Sequence, residues 1–204
     1  MLVPPERRCR RIVRLFNPLR RGTSLATRLD IMHERLQELL GVQGIRYELV
    51  PHPEAFTAQE EVAKAHVSGW SWAKTVAVKD PVGLALAVLP ACCTADLDRV
   101  KGLIGRGEIR LASVEEMLAG FPGCALGAIP PFGRLFGVPT AMDESLVEQR
   151  DIVLPSGDHR AAIRMRTADY LRLAEPRSGR FAVHEAQTFP VHPQPRGRAT
   201  RTSP

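Results

Sequence analysis

The chain has 204 residues, 44% of them hydrophobic and 5% aromatic, with 28 Lys and Arg against 22 Asp and Glu. That is enough chain and apolar content for one globular domain with a sizeable core. Its longest apolar stretch, Leu84 to Pro90, falls far short of the roughly 18 residues that cross a bilayer, which points away from a membrane and toward a cytoplasmic protein.

The formal charge of +6 is unevenly placed. Residues 1–31 carry eight arginines against Glu6 and Asp30, and residues 185–204 carry Arg196, Arg198 and Arg201 against Glu185. The stretch between them, 32–184, holds 17 basic and 19 acidic residues. Net basicity therefore belongs to the two ends, and any contact of the folded part with nucleic acid must come from local patches.

Residues 1–31 lack sustained apolar periodicity and read as a basic, disordered extension, either an arginine-rich transit-like segment or an arm preceding a start at Met32. From Asp30 the spacing of Ile31, Leu36, Leu39 and Leu40 predicts an amphipathic helix that Gly41 and Gly44 end. Tyr47 to Val50 reads as a strand stopped by Pro51 and Pro53. Beyond His52, Thr57 and Glu60 have the spacing of a capping box for a helix through His66, so His52 to Phe56 feeds a helix N-terminus suited to anions.

Thr75 to Lys79 and Leu84 to Leu89 flank Asp80-Pro81-Val82-Gly83, a hairpin whose second strand is apolar enough to be buried on both faces. A helix follows from Thr94 to about Leu103, then a short strand over Glu108 to Leu111. Ser113 and Glu116 form a second capping box on a helix ending near Gly120. Asp151 to Leu154 and Arg160 to Arg164 read as paired strands about a Pro155 to Asp158 turn, and a threonine-capped helix covers Thr167 to Leu173. The composition divides the chain into the extension 1–31, an ordered domain over 32–176 and a Pro/Arg-rich disordered tail over 177–204.

Cysteines stand at 9, 92, 93 and 124 without a C-x-x-C pair. Cys92 and Cys93 are expected on opposite faces of a strand or turn, so reduced thiols are expected, with no metal and no cofactor. His52 and His159 lack a nucleophile in any recognisable triad context and read first as loop hydrogen-bonders. Trp70 and Trp72 are either packing anchors or stacking surfaces for a base.

Lys74, at the mouth of a buried strand, is either a solvated edge lysine or a cation poised to hold a phosphate or stabilise developing negative charge. Gly127 to Gly133 joins permissive glycines to the fixed φ angles of Pro130 and Pro131. It is either a plain turn or a rigid rim of amides and carbonyls facing Lys74, and it lacks the lysine-serine/threonine ending of a phosphate-binding P-loop.

Taken in order, Pro51 to Glu60, Ala73 to Val78, Ala87 to Ala91 with Asp96 and Leu97, Gly127 to Gly133, Asp143-Glu144 and Ser156 to His159 resemble the YbaK/EbsC family of aminoacyl-tRNA deacylases. These are related to the editing domain inserted in bacterial prolyl-tRNA synthetases. The resemblance implies a compact α+β domain with a mixed, largely antiparallel sheet flanked by helices, acting on the acceptor end of mischarged tRNA, with an aminoacyl-tRNA synthetase as a further partner. It implies that Lys74 is the essential lysine and that Gly127, Ala128, Ile129, Pro130, Pro131 and Gly133 form the substrate loop, Ala128 replacing the second glycine common in the family. His52, Thr57, Asp143, Gly157 and His159 match positions around the pocket. The substrates implied are small mischarged residues, such as alanyl- or cysteinyl-tRNA(Pro); a non-catalytic tRNA- or nucleotide-binding module and a general amino-ester hydrolase are the alternatives.

Overall fold

In the computed structural model, which describes residues 32–52, 68–105 and 107–184, the hairpin expected around Asp80 forms the centre of the molecule. Strands β2 (Ala73–Lys79) and β3 (Leu84–Pro90) pair antiparallel, from Ala73 opposite Pro90 to Lys79 opposite Leu84. Asp80 fixes the turn by accepting the amides of Val82 and Gly83 on one carboxylate oxygen, each at 2.8 Å. The strand β1 (Tyr47–Pro51) precedes this hairpin in the chain.

Strand β3 is buried on both faces, as its apolar run predicts. Leu86 and Val88 point one way, and Ala85, Ala87 and Leu89 the other. Strands β4 (Cys93–Ala95), β5 (Arg110–Leu111) and β6 (Thr140–Asp143) follow, and β5 and β6 flank the hairpin, antiparallel to β2 and parallel to β3. After β7 (Asp151–Pro155) and β8 (Ala161–Arg166), strand β9 (Arg177–Gly179) adds parallel to β6. The order of this mixed sheet is β5-β2-β3-β6-β9.

A second, antiparallel sheet has the order β1-β8-β7, and a parallel bridge between Trp72 and Val153 joins the two. Strand β10 (Ala182–His184) pairs antiparallel with β4. The expected α+β architecture is present, the strands among the described residues dividing over three sheets.

Helix α1 (Glu34–Val42) places Leu36 and Leu40 one turn apart, so both enter the core beside Val88, Phe132, Ile152 and Ile163. Helix α2 (Leu97–Ile104) starts where Asp96 accepts the Arg99 amide, and lays Val100 and Ile104 on the Ala85, Ala87 and Leu89 face. The second capping box is formed at α3 (Val114–Gly120): Ser113 Oγ accepts the Glu116 amide and Glu116 accepts the Ser113 amide. Arg110 holds the same carboxylate bidentately at 2.7 Å, and these bonds keep the Glu116 carboxyl down at about 2. Two further helices are α4 (Glu144–Val147) and α5 (Thr167–Ala174).

Four expectations about the elements change. The helix expected from Thr94 begins at Leu97, because Thr94 and Ala95 belong to β4. Residues 177–184 contain strands β9 and β10, so the ordered domain runs past residue 176 into the segment expected to be tail. Arg166, not Thr167, occupies the cap position of α5; Thr167 falls one residue inside, where its buried hydroxyl has no hydrogen bond among the described residues. Cys92 lies in the turn before β4, so its sulfur meets that of Cys93 at 3.9 Å instead of pointing to the opposite face. The arginine-rich extension, the Thr57 to Glu60 capping box and the chain after 184 lie outside the described residues. No helix among the described residues is long and apolar enough to cross a membrane.

Candidate active site

Alternation along β2 decides what Lys74 can meet. Val76 and Val78 pack with Leu89 and Cys93, whereas Ala73 and Ala77 belong to the opposite face. Lys74, directly across from Leu89, therefore shares the Cys93 face and is partly buried there. Asp143 ends β6 on that same face, two residues after Ala141.

Cys93 senses the other two. Burial pushes the Cys93 thiol up to about 12, the Cys92 thiol and the Asp143 carboxylate push the same way, and the Lys74 ammonium pulls against them. Cys93 is consequently a neutral thiol near neutral pH, unsuited to act as a thiolate nucleophile.

Asp143 takes a framework role. Burial pushes its carboxyl up, but hydrogen bonds from the Ser145 hydroxyl and from the amides of Phe181, Ala182 and Ser145 outweigh this and hold it below the usual range. The Phe181 and Ala182 amides sit at 2.7 Å and that of Ser145 at 2.9 Å. The expected pocket residue thus caps α4 and fastens the chain entering β10.

The glycine/proline loop is less open than its sequence suggests. Gly127, at φ 86°, is exposed, but Ala128 through Gly133 are all buried. Ile129 packs with Ala77, Leu86 and Phe121, and Phe132 packs with Ala73, Val88 and Met142. Tyr170 fastens the loop by donating its hydroxyl to the Pro131 carbonyl at 2.8 Å. Ala128, Phe132 and Gly133 spend their amides on Ala125 O, Pro130 O and Thr140 Oγ1. Proline has no N–H to give and Ile129 is buried, so among the described residues the exposed Gly127 amide is the donor the loop can offer a substrate.

The loop and Lys74 are therefore rooted on opposite faces of the β2–β3 ladder, contrary to the expectation that one faces the other. Thr75, opposite Val88, turns toward the loop's face, and its buried hydroxyl has no hydrogen bond among the described residues. The Lys74-Thr75 pair so addresses both sides of the sheet.

Gly133 fits where no side chain could. A Cβ there would collide with Thr140 Oγ1 and the Val138 carbonyl. Gly133→Ala is expected to lose roughly 2–4 kcal/mol of stability, read as a lower urea midpoint, because the second obstacle is backbone and cannot rotate away.

The structure does bring the loop to the Ser156–His159 turn. The Ala125 amide donates to Gly157 O at 2.9 Å, and His159 Nε2 donates to Leu126 O at 2.7 Å. His52 joins them through its amide on Arg160 O, its ring edge-on to Trp72 with centroids 5.7 Å apart. Thr57 lies outside the described residues. His33, which nothing in the sequence singles out, braces this turn: its amide donates to Ser156 O at 2.7 Å and its ring reaches Pro122 O. A Cβ on Gly157 would come within 2.7 Å of the His33 Cβ, so the close approach requires glycine.

Apart from His33, this geometry lies within a span that comparison identifies. Residues 52–173 match the model of the aminoacyl-tRNA editing domain. The multifunctional Ser/Thr-tRNA deacylase ProXp-y of Escherichia coli K12 is 32% identical over 153 residues, 72% of this chain and 90% of the relative. A solved structure provisionally described as a trans-editing enzyme for prolyl tRNA synthetase superposes with a TM-score of 0.64 at 23% identity, covering 79% of this chain and 99% of its own. A hypothetical protein of known structure reaches 0.66 at 19% identity, covering 74% and 100%. At such identities the two structures speak for the fold. The matched span contains Lys74, the buried glycine/proline loop and the Ser156–His159 turn that it meets, and with this lysine, loop and turn the chain belongs to the aminoacyl-tRNA editing domain family, hydrolases of the aminoacyl-tRNA ester bond.

Proposed function

We propose that this domain acts in trans on tRNA mischarged with a small amino acid, with Lys74 as its catalytic cation. The observation that carries the reading is the placement of Lys74, partly buried on a rigid strand within the matched family span. Beside it Cys93 is neutral, and Asp143 is engaged by the amides of Phe181, Ala182 and Ser145.

An aminoacyl ester is already activated, so positioning and charge stabilisation are the main requirements. Water adds to the ester carbonyl carbon, and the charge develops on the carbonyl oxygen. Collapse breaks the bond from that carbon to the ribose oxygen, which takes up a proton, and the products are free amino acid and uncharged tRNA. Lys74 holds the terminal phosphate or the developing oxyanion.

ProXp-y is named for Ser and Thr, which adds these to the alanyl and cysteinyl candidates. A panel of Ala-, Cys-, Ser-, Thr- and Leu-tRNA tests the reading. Small residues are expected to turn over faster than leucine by about 10- to 200-fold, the scale of discrimination that one methylene provides in a shaped pocket. Tight binding of uncharged tRNA with no turnover of any species would favour a non-catalytic binding module, the reading that the burial of Ala128 to Gly133 supports. A synthetase partner supplying the mischarged tRNA completes the proposal.

A further inference from the structure

The two tryptophans that precede Lys74 have opposite environments. Trp72 is fully buried with Ala91, Val153 and Ala162 and anchors the seam between the sheets. Trp70 leaves 43% of its surface exposed, yet its ring lies flat on that of His184, centroids 5.4 Å apart and planes 10° from parallel. His184 is itself held by β10, opposite Cys93 in the register with β4. An exposed indole fixed in one orientation is pre-organised to take another flat ring.

The pair lines a cavity of about 340 Å³ that also includes Cys93, Asp143, Arg99 and Arg180. Cys93 lines the cavity and lies on the face of β2 and β3 that Lys74 shares, so cavity and lysine stand on the same side of the sheet. Its arginines are already paired, Arg180 with Glu144 at 2.7 Å and Arg99 with Asp96 at 3.1 Å, and Glu148 stands beside them. A rim of that kind suits an uncharged ring better than a run of phosphates, whose affinity comes from lysines and arginines that neutralise them.

Resting on the deacylase reading, we infer that Trp70, backed by His184, is the stacking platform for the terminal adenine of the tRNA acceptor end. Trp70 is then a substrate-binding residue that delivers the ester to Lys74.

The chain has two tryptophans and Trp72 is buried, so a change of emission on binding reports on Trp70. Uncharged minihelices ending in CCA and in CC are titrated into wild type, Trp70→Leu and Trp70→Phe. The CCA end is expected to quench wild-type emission and the CC end to leave it unchanged. Trp70→Leu loses the signal and raises KM for mischarged substrate by roughly 5- to 150-fold, the span of one base stack, with kcat within about twofold. Trp70→Phe, which keeps a smaller platform, falls between in KM. An unchanged KM in Trp70→Leu, or equal quenching by the two minihelices, overturns the assignment. Quenching specific to CCA without hydrolysis keeps the platform and sinks the deacylase reading, whereas Lys74-dependent hydrolysis with KM unmoved in Trp70→Leu does the reverse.

Discussion

Replacing Lys74 with methionine is expected to slow deacylation of the best substrate by about 10²- to 10³-fold, the scale on which enzymes lose one preorganised group that stabilises developing charge. Methionine keeps most of the apolar stem, so the packing of Lys74 against its neighbours is largely retained and the loss isolates the ammonium. The unfolding midpoint should move little, because the β2–β3 ladder is made by the backbone and its register does not depend on this side chain. Lys74→Arg should recover only part of the rate: it restores charge, but the guanidinium is planar and bulkier where a compact cation is called for. Single-turnover hydrolysis under saturating enzyme separates chemistry from binding. A rate in Lys74→Met within about threefold of wild type would remove the lysine from the mechanism and leave the fold and family unaffected.

The parts of this molecule that were legible in the sequence are those fixed by local chemistry. Asp80 specifies its turn through its own carboxylate, and Ser113 and Glu116 close a capping box across three residues. The strand from Leu84 to Pro90 declares its burial by having nothing polar to expose. Period-two alternation puts Lys74 and Thr75 on different faces, but which face the glycine/proline loop covers depends on where Ile129 and Phe132 find apolar neighbours. Those neighbours lie in strands far away in the chain, among them Ala73, Ala77 and Leu86.

The same limit hid residues 177–184. Arg177-Ser178-Gly179 has no strand-like alternation or apolar character, and it becomes a strand because β6 offers it an edge. The loop's rigidity was readable from Pro130 and Pro131, whereas its burial was not. A turn of this composition is usually exposed, and here Tyr170, 39 residues on, holds it down.

Asp143→Ala is expected to cost roughly 3–5 kcal/mol at neutral pH, the largest stability loss of any single substitution at the candidate site. The carboxylate is buried and accepts from Phe181, Ala182 and Ser145, so its removal strands backbone donors as well as deleting bonds to a charged acceptor. The effect is tied to pH with a definite sign. Its hydrogen bonds hold the folded carboxyl below its ordinary value of 3.8, so over the interval between the two values the unfolded chain binds more protons. The stabilisation is therefore complete above the ordinary carboxylate range and drains away as pH falls through the depressed folded value. Urea midpoints at pH 7 and pH 3 should show the gap between wild type and Asp143→Ala narrowing in acid. A gap that stays constant would mean that the carboxylate's charge contributes nothing and that shape alone fastens β10 to the sheet. Because β10 carries His184, this substitution should also weaken the stacking partner of Trp70 and raise KM even where the domain remains folded. Asp143 then reaches the substrate only through the framework it secures, as a positioning residue.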